Sequence, residues 1–110
     1  QGVSSAASDV YKRQIDDREV LVEGVRALLT VREYQVLEAL ADRPDRVVSR
    51  EFIFDRVWGG PMPRRDRAVD VHVRRIRSKL DAIAPSWIFV HTHFGSGYRL
   101  APEPREVEGA

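Results

Sequence analysis

The chain contains no cysteine among its 110 residues. Disulfides, thiolate metal sites and cysteine nucleophiles are therefore excluded together, and a reducing cytoplasm suits such a chain. No uncharged apolar run approaches the roughly 18 residues that a membrane-spanning helix needs, so no membrane partner is implied. A glycine-rich phosphate loop and a Ser-His-Asp spacing are both missing, and the acids are dispersed along surface helices, so the chain is not read as an enzyme. Net charge is scarce too: 18 basic residues stand against 17 acidic ones, a formal +1. Taken as a total, that argues against a polyanionic partner, but its distribution reverses the argument. What is present is 43% hydrophobic and 32% charged residues, enough for one packed domain under a solvated surface.

Residues Gln1 to Gln14 sit apart from the rest. They are rich in small and polar side chains, keep no period, and lack the basic start and apolar stretch of a secretory signal. The run SSAASDVYKRQ, Ser4 to Gln14, looks like the reading-frame translation of a transposon adapter used in sequencing libraries. The alternative is an ordinary flexible linker. Residues 1–14 are thus expected to be a non-native or disordered leader without function, 15–100 the domain, and 101–110 a flexible tail containing two prolines and three glutamates.

From Ile15 the pattern alternates through Val20 and Val22, turns at Glu23-Gly24 and returns from Val25 to Leu29, a hairpin signal. Thr30-Val31-Arg32-Glu33 spells a capping box for a first helix, which carries Tyr34, Leu37 and Leu40 on one side until Pro44 stops it. Val47-Val48 reads as a short extended link. Ser49 caps a second helix, Arg50 to about Trp58, closed by the loop Gly59-Gly60-Pro61-Met62-Pro63. Asp66 caps a third and longest helix, Arg67 to about Ile83, ended by Ala84-Pro85. A second hairpin follows, from Ile88 through a glycine-bearing tip to Leu100. The expected class is α+β: a three-helix helix-turn-helix core with an N-terminal β-hairpin or partial sheet and a C-terminal hairpin wing.

The third helix carries the charge that the total conceals. At 100° per residue, Val69, Val73, Ile76 and Leu80 form the buried face, which Ile83 extends. Between Arg64 and Lys79, seven basic side chains face two acids, a net of +5, so the rest of the chain carries −4. Six of the seven bases are arginines, whose planar forks match phosphate or guanine edges. Val71 lies in the middle of the polar face, where contact with a thymine methyl explains it better than burial does. Asp70 is placed to pair with Arg74 one turn on. A solvated helix face is the plain alternative; the surrounding architecture favours a double-stranded DNA partner.

The segments REYQVLEALADRPDRVVSRE, DRVWG, DRAVDVHVRRIRSKL and GSGYRL together resemble the DNA-binding domain of OmpR/PhoB-type response regulators, over Ile15 to Leu100. The resemblance implies a winged helix controlling transcription, with helix 67–83 in the major groove and wing 91–98 at the minor groove. It further implies a receiver domain phosphorylated by a sensor histidine kinase, a homodimer on tandem half-sites, and no cofactor. That receiver, like the first strand of the family's N-terminal sheet, is expected upstream of the adapter junction. By motif, Val71 and Arg75 resemble the base-reading pair. Arg67, His72, Arg74 and Arg77 resemble phosphate contacts, with Trp58, Thr92 and Tyr98 as further backbone contacts. Residues Gly59, Gly60, Pro61, Met62, Pro63, Arg64 and Arg65 resemble a loop presented to RNA polymerase. One departure stands out: the family's wing-tip arginine is replaced by Phe94, beside His93, and a neutral ring cannot answer the minor groove's negative potential.

Three other readings compete. His91-x-His93 could supply two metal ligands, but zinc needs three or four and no acid lies close in sequence, so no metal is expected. A metal-dependent nuclease is the enzymatic alternative. A winged helix used only for protein contacts, or fused to something other than a receiver, is the third.

Overall fold

The computed structural model describes residues 11–14 and 19–105; Ile15, where the hairpin alternation begins, and the last five residues of the tail lie outside them. In chain order the elements are β1 (Tyr11–Gln14), β2 (Glu19–Val22), β3 (Val25–Ala27), α1 (Val31–Ala41), β4 (Val47–Val48), α2 (Arg50–Trp58), α3 (Ala68–Ile83), β5 (Trp87–His93) and β6 (Gly97–Pro104). The strands form two antiparallel sheets, β1-β2-β3 and β4-β6-β5, with the helices packed between them around one core. Among the described residues, no helix is long and apolar enough to cross a membrane.

Local chemistry explains the helix starts. Thr30 Oγ1 accepts from the Glu33 amide at 3.1 Å, and Glu33 Oε1 accepts from the Thr30 amide at 2.9 Å, the expected capping box. Ser49 Oγ accepts from Phe52 N at 3.1 Å and opens α2. The third helix begins one residue later than expected: Arg67 holds the N-cap position without a side-chain cap, and Asp66 reaches past it to accept from Ala68 N at 2.7 Å. Val69, Val73, Ile76 and Leu80 are the buried residues of α3, as their period requires, and each such side chain contributes roughly 1.5–3 kcal/mol on leaving water. Helix α1 is more central than expected, since Val36 and Ala39 are buried beside Tyr34, Leu37 and Leu40.

Both ends of the expected domain differ from the observed one. Tyr11–Gln14, expected to belong to a non-native or disordered leader, pair antiparallel with β2, from Tyr11↔Val22 to Gln14↔Glu19. A β-ladder uses main-chain groups, and the free edge of the β2–β3 hairpin offers them to any extended segment. At the other end, Ala101 to Pro104 continue β6 rather than fraying. Two prolines are tolerated there because β4 pairs only with Tyr98 and Arg99, so beyond them one edge of β6 has no partner among the described strands. Arg105 then clamps the end, donating from its amide to Ser86 O and from its side chain to Pro85 O and Asp81, each at 2.8–2.9 Å. Val47-Val48, read as a link, is the third strand of the wing sheet, with Val48 opposite Tyr98.

Candidate nucleic-acid interface

Burying one face of α3 fixes what the others present. Around the helix, the core sector is flanked on one side by Asp70, Arg74 and Arg77, which point toward the β5–β6 wing. Arg67, Val71, Arg75 and Ser78 form the outward ridge, with the arginines exposed and Val71 half-exposed. His72 and Lys79 lie on the far flank, within about 20° of one another.

Between α3 and the wing lies a cleft of about 440 Å³. Arg50, Arg67, Arg74 and Arg77 line it against one carboxylate, Asp70, and its other wall is Thr92 to Gly95 with Gly97 and Tyr98. Asp70 is the hub at its base. It pairs with Arg50 at 3.4 Å and Arg67 at 3.5 Å and accepts the hydroxyl proton of Tyr98. The expected pairing with Arg74 is not formed: Asp70 is turned toward α2 and β6, and both Arg74 and Arg75 stay exposed, with no ion pair among the described residues. Arg50 is the residue that sequence reading missed. Its position in the first turn after the Ser49 cap was the available signal.

The wing is held to α3 by Arg77, whose Nε donates to Val90 O at 3.1 Å and whose Nη2 donates to Thr92 Oγ1. Its guanidinium also lies 5.6 Å from the Tyr98 ring centroid. Tyr98 is buried, and burial together with the bond to Asp70 pushes its phenol up to about 12. The folded value is raised, so this contribution to stability is fully present below the ordinary tyrosine value of about 10 and is lost as pH rises toward 12. Urea unfolding between pH 9 and 12 should therefore show an alkaline loss of stability that Tyr98→Phe removes. An identical slope in the variant would assign the loss to other groups.

The remaining expected residues are more dispersed. Trp58 stacks on Phe54 at 5.1 Å and meets His72 edge-on at 5.2 Å, while His72 Nδ1 bonds Ala68 O at 2.7 Å. Neither lines the cleft, and neither do residues 59–65, which form the exposed connection from α2 to α3 apart from a half-buried Met62. His91 Nε2 bonds Ala101 O at 2.8 Å, and His93 Nε2 accepts from Arg99 Nε at 3.1 Å, so each histidine is engaged with β6. No group of three or more potential metal ligands occurs among the described residues. Lys79, counted in the basic segment, turns away from it. Its ammonium bonds Glu33 Oε1 at 2.6 Å and Leu28 O at 2.9 Å, as its place on the far flank of α3 demands.

The comparisons with known proteins agree with this fold, a three-helix core followed by a hairpin. The family model described as "Transcriptional regulatory protein, C terminal" matches residues 24–100. The chain belongs to this family, the OmpR/PhoB-type DNA-binding domains of response regulators. The cell cycle response regulator CtrA of Brucella anthropi is 33% identical over 93 residues, covering 84% of this chain and 40% of that protein. The transcriptional regulatory protein CreB of Escherichia coli is 42% identical over 72 residues, covering 66% of this chain and 31% of that protein. This chain therefore spans well under half the length of either. The DNA-binding domain of Klebsiella pneumoniae RstA, solved in complex with the RstA box, superposes with a TM-score of 0.76 at 26% identity, covering 86% of this chain and 93% of that one. The DNA-binding domain of Escherichia coli CpxR gives 0.74 at 29% identity, with 84% and 90% covered.

Proposed function

We propose that this winged-helix domain binds double-stranded DNA sequence-specifically by laying α3 in the major groove and the β5–β6 tip at the minor groove. The observation that carries the reading is a cleft in which Arg50 of α2, Arg67 at the N-cap of α3, and Arg74 and Arg77 of α3 face the wing. Val71 and Arg75, on the outward ridge of α3, read bases; Arg67 and Arg74 grip phosphates, with Trp58 and His72 on the opposite flank. Arg77, Thr92 and Tyr98 act at the backbone chiefly by holding the wing in register, since Arg77 already donates to Val90 O and Thr92 Oγ1 and Tyr98 already donates to Asp70.

Selecting bound sites from random duplexes tests this. On the recovered site, Arg75→Ala should cost roughly 1–3 kcal/mol and relax discrimination at one position. Equal losses on every sequence would reassign Arg75 to the backbone. Failure to retain any duplex at low salt would favour a winged helix devoted to protein contacts.

In a protein of the relatives' length, we propose that the remainder is a receiver domain phosphorylated by a sensor histidine kinase in the cytoplasm. Phosphorylation then favours a homodimer on tandem half-sites, and loop 59–65 is the surface offered to RNA polymerase. The exposed Arg64 and Arg65 of that loop support its availability to a partner.

A further inference from the structure

The wing tip carries the most exposed large apolar side chain among the described residues: Phe94 is 93% accessible. A lone exposed phenylalanine is ordinary on a protein surface, so its setting has to decide its meaning. The β5–β6 ladder ends at His93↔Gly97, and Phe94 is the first residue beyond it. The turn is closed by Ser96 N donating to His93 O at 2.8 Å, and the strands beneath it are braced by the Arg99–His93 and Arg77–Thr92 bonds. The ring is therefore presented on a fixed support and takes no part in the core. It also lines the same cleft as Arg67 and Arg74, so a phosphate backbone held by those arginines brings a groove wall onto the ring. Phe94, Gly95 and Ser96 carry no ionisable group, and the neighbouring His93 has its Nε2 engaged by Arg99, so this tip presents the ring rather than a cation to a narrow minor groove.

We infer that Phe94 is an apolar wedge, inserted from the minor-groove side against a base step that it partly unstacks. The inference rests on the DNA-binding reading above and adds a specificity to it. Unstacking is least costly at the flexible pyrimidine–purine steps TA and CA/TG, and an apolar ring gains nothing from the stiff, narrow A-tracts that attract arginine. The wing should therefore select a deformable step at a fixed distance from the bases read by α3.

The test is bound-site selection with the 110-residue chain and with Phe94→Ala and Phe94→Arg, followed by 2-aminopurine placed in the selected step. The wild type should recover a half-site with a pyrimidine–purine step beside it, and its binding should raise 2-aminopurine emission. Phe94→Ala should recover the same half-site without the step preference, losing roughly 10-fold in affinity on step-bearing DNA and little on step-free DNA. Phe94→Arg should shift the flank toward A-tracts. An unchanged flank in Phe94→Ala, or unchanged emission on wild-type binding, overturns the wedge while leaving DNA binding intact. If the wild type recovers no half-site at all, the DNA-binding reading falls and the wedge falls with it. Because the ring is almost wholly exposed, both variants should keep the wild-type Tm, which separates a contact effect from misfolding.

Discussion

Gly97→Ala should destabilise the domain by roughly 3 kcal/mol or more and abolish DNA binding at temperatures the wild type tolerates. A Cβ built at Gly97 would lie 2.0 Å from Val48 O, 2.7 Å from Val48 C and 2.9 Å from Ser49 Cα. All three are backbone atoms, so no side chain can swing aside to make room. The residue also has φ +142°, a conformation that side-chain-bearing residues rarely adopt. Relief requires β4 to part from β6, and β4 leads directly through Ser49 into α2. The wing and the helix bearing Arg50 would then lose their shared anchor. Thermal or urea unfolding measures the loss, and about 3 kcal/mol should lower Tm by more than 10 °C in a domain of this size. Gly95→Ala provides the contrast. Gly95 has φ +81° but nothing within 4 Å of an added Cβ, so only the backbone preference is lost, about 1 kcal/mol. Equal effects at the two glycines would show that the close approach to Val48 does not matter.

Gly97 marks where reading the sequence stops. The GSGYRL segment was legible as a wing tip, yet the reason for its second glycine lies on Val48, far away in the chain. Features whose partners lie within a turn or two were readable. Thr30 with Glu33, Ser49 over Phe52 and the Val69-Val73-Ile76-Leu80 face follow from the short-range geometry of helices. Val47-Val48 has too few residues to show a period, so only pairing with β6 makes it a strand. Asp70 had a local candidate in Arg74, but Tyr98 and Arg50 reach it from other elements, and a half-buried carboxylate takes the donors that close over it. Tyr11–Gln14 and Ala101 to Pro104, which lie in strands, depart from expectation in the same way. Composition describes what a segment prefers alone, while a free sheet edge or a clamp such as Arg105 decides what it does in the fold. For the candidate site, the outward ridge of α3 was legible, and the cleft was not, because half of it comes from α2 and the wing.

Lys79→Met gives the second large effect, and it separates charge that faces outward from charge that holds the fold. The Glu33 side chain is only 2% exposed; its Oε1 accepts from Lys79 Nζ at 2.6 Å and from the Thr30 amide at 2.9 Å. Burial alone would raise its pKa, but the Lys79 and Thr30 hydrogen bonds, with the charges of Lys79 and His72, outweigh it and hold the carboxyl below its ordinary value. Methionine keeps the apolar stem and removes the ammonium, leaving a buried carboxylate with the Thr30 amide as its remaining bond. Breaking a fully buried pair costs several kcal/mol; with Lys79 about a third exposed, about 2 kcal/mol at neutral pH is expected. The wild-type pKa is depressed, so the pair's contribution is present above the unfolded glutamate value of about 4.3 and lost as pH falls through the folded value. In the variant burial is less opposed, so its disadvantage should be largest near neutrality and shrink as acid protonates Glu33. Urea unfolding from pH 3 to 8 reads this directly, and adding Glu33→Gln should recover most of the loss by removing the stranded charge while keeping a carbonyl for the Thr30 amide. A small, pH-independent cost would mean that solvent satisfies Glu33. DNA binding supplies the decisive contrast, measured where the variant is fully folded. Removing a phosphate contact reduces the slope of log affinity against log salt by about one. Arg74→Ala should do so, and Lys79→Met should leave the slope unchanged, because its ammonium is already bonded to Glu33 Oε1 and Leu28 O.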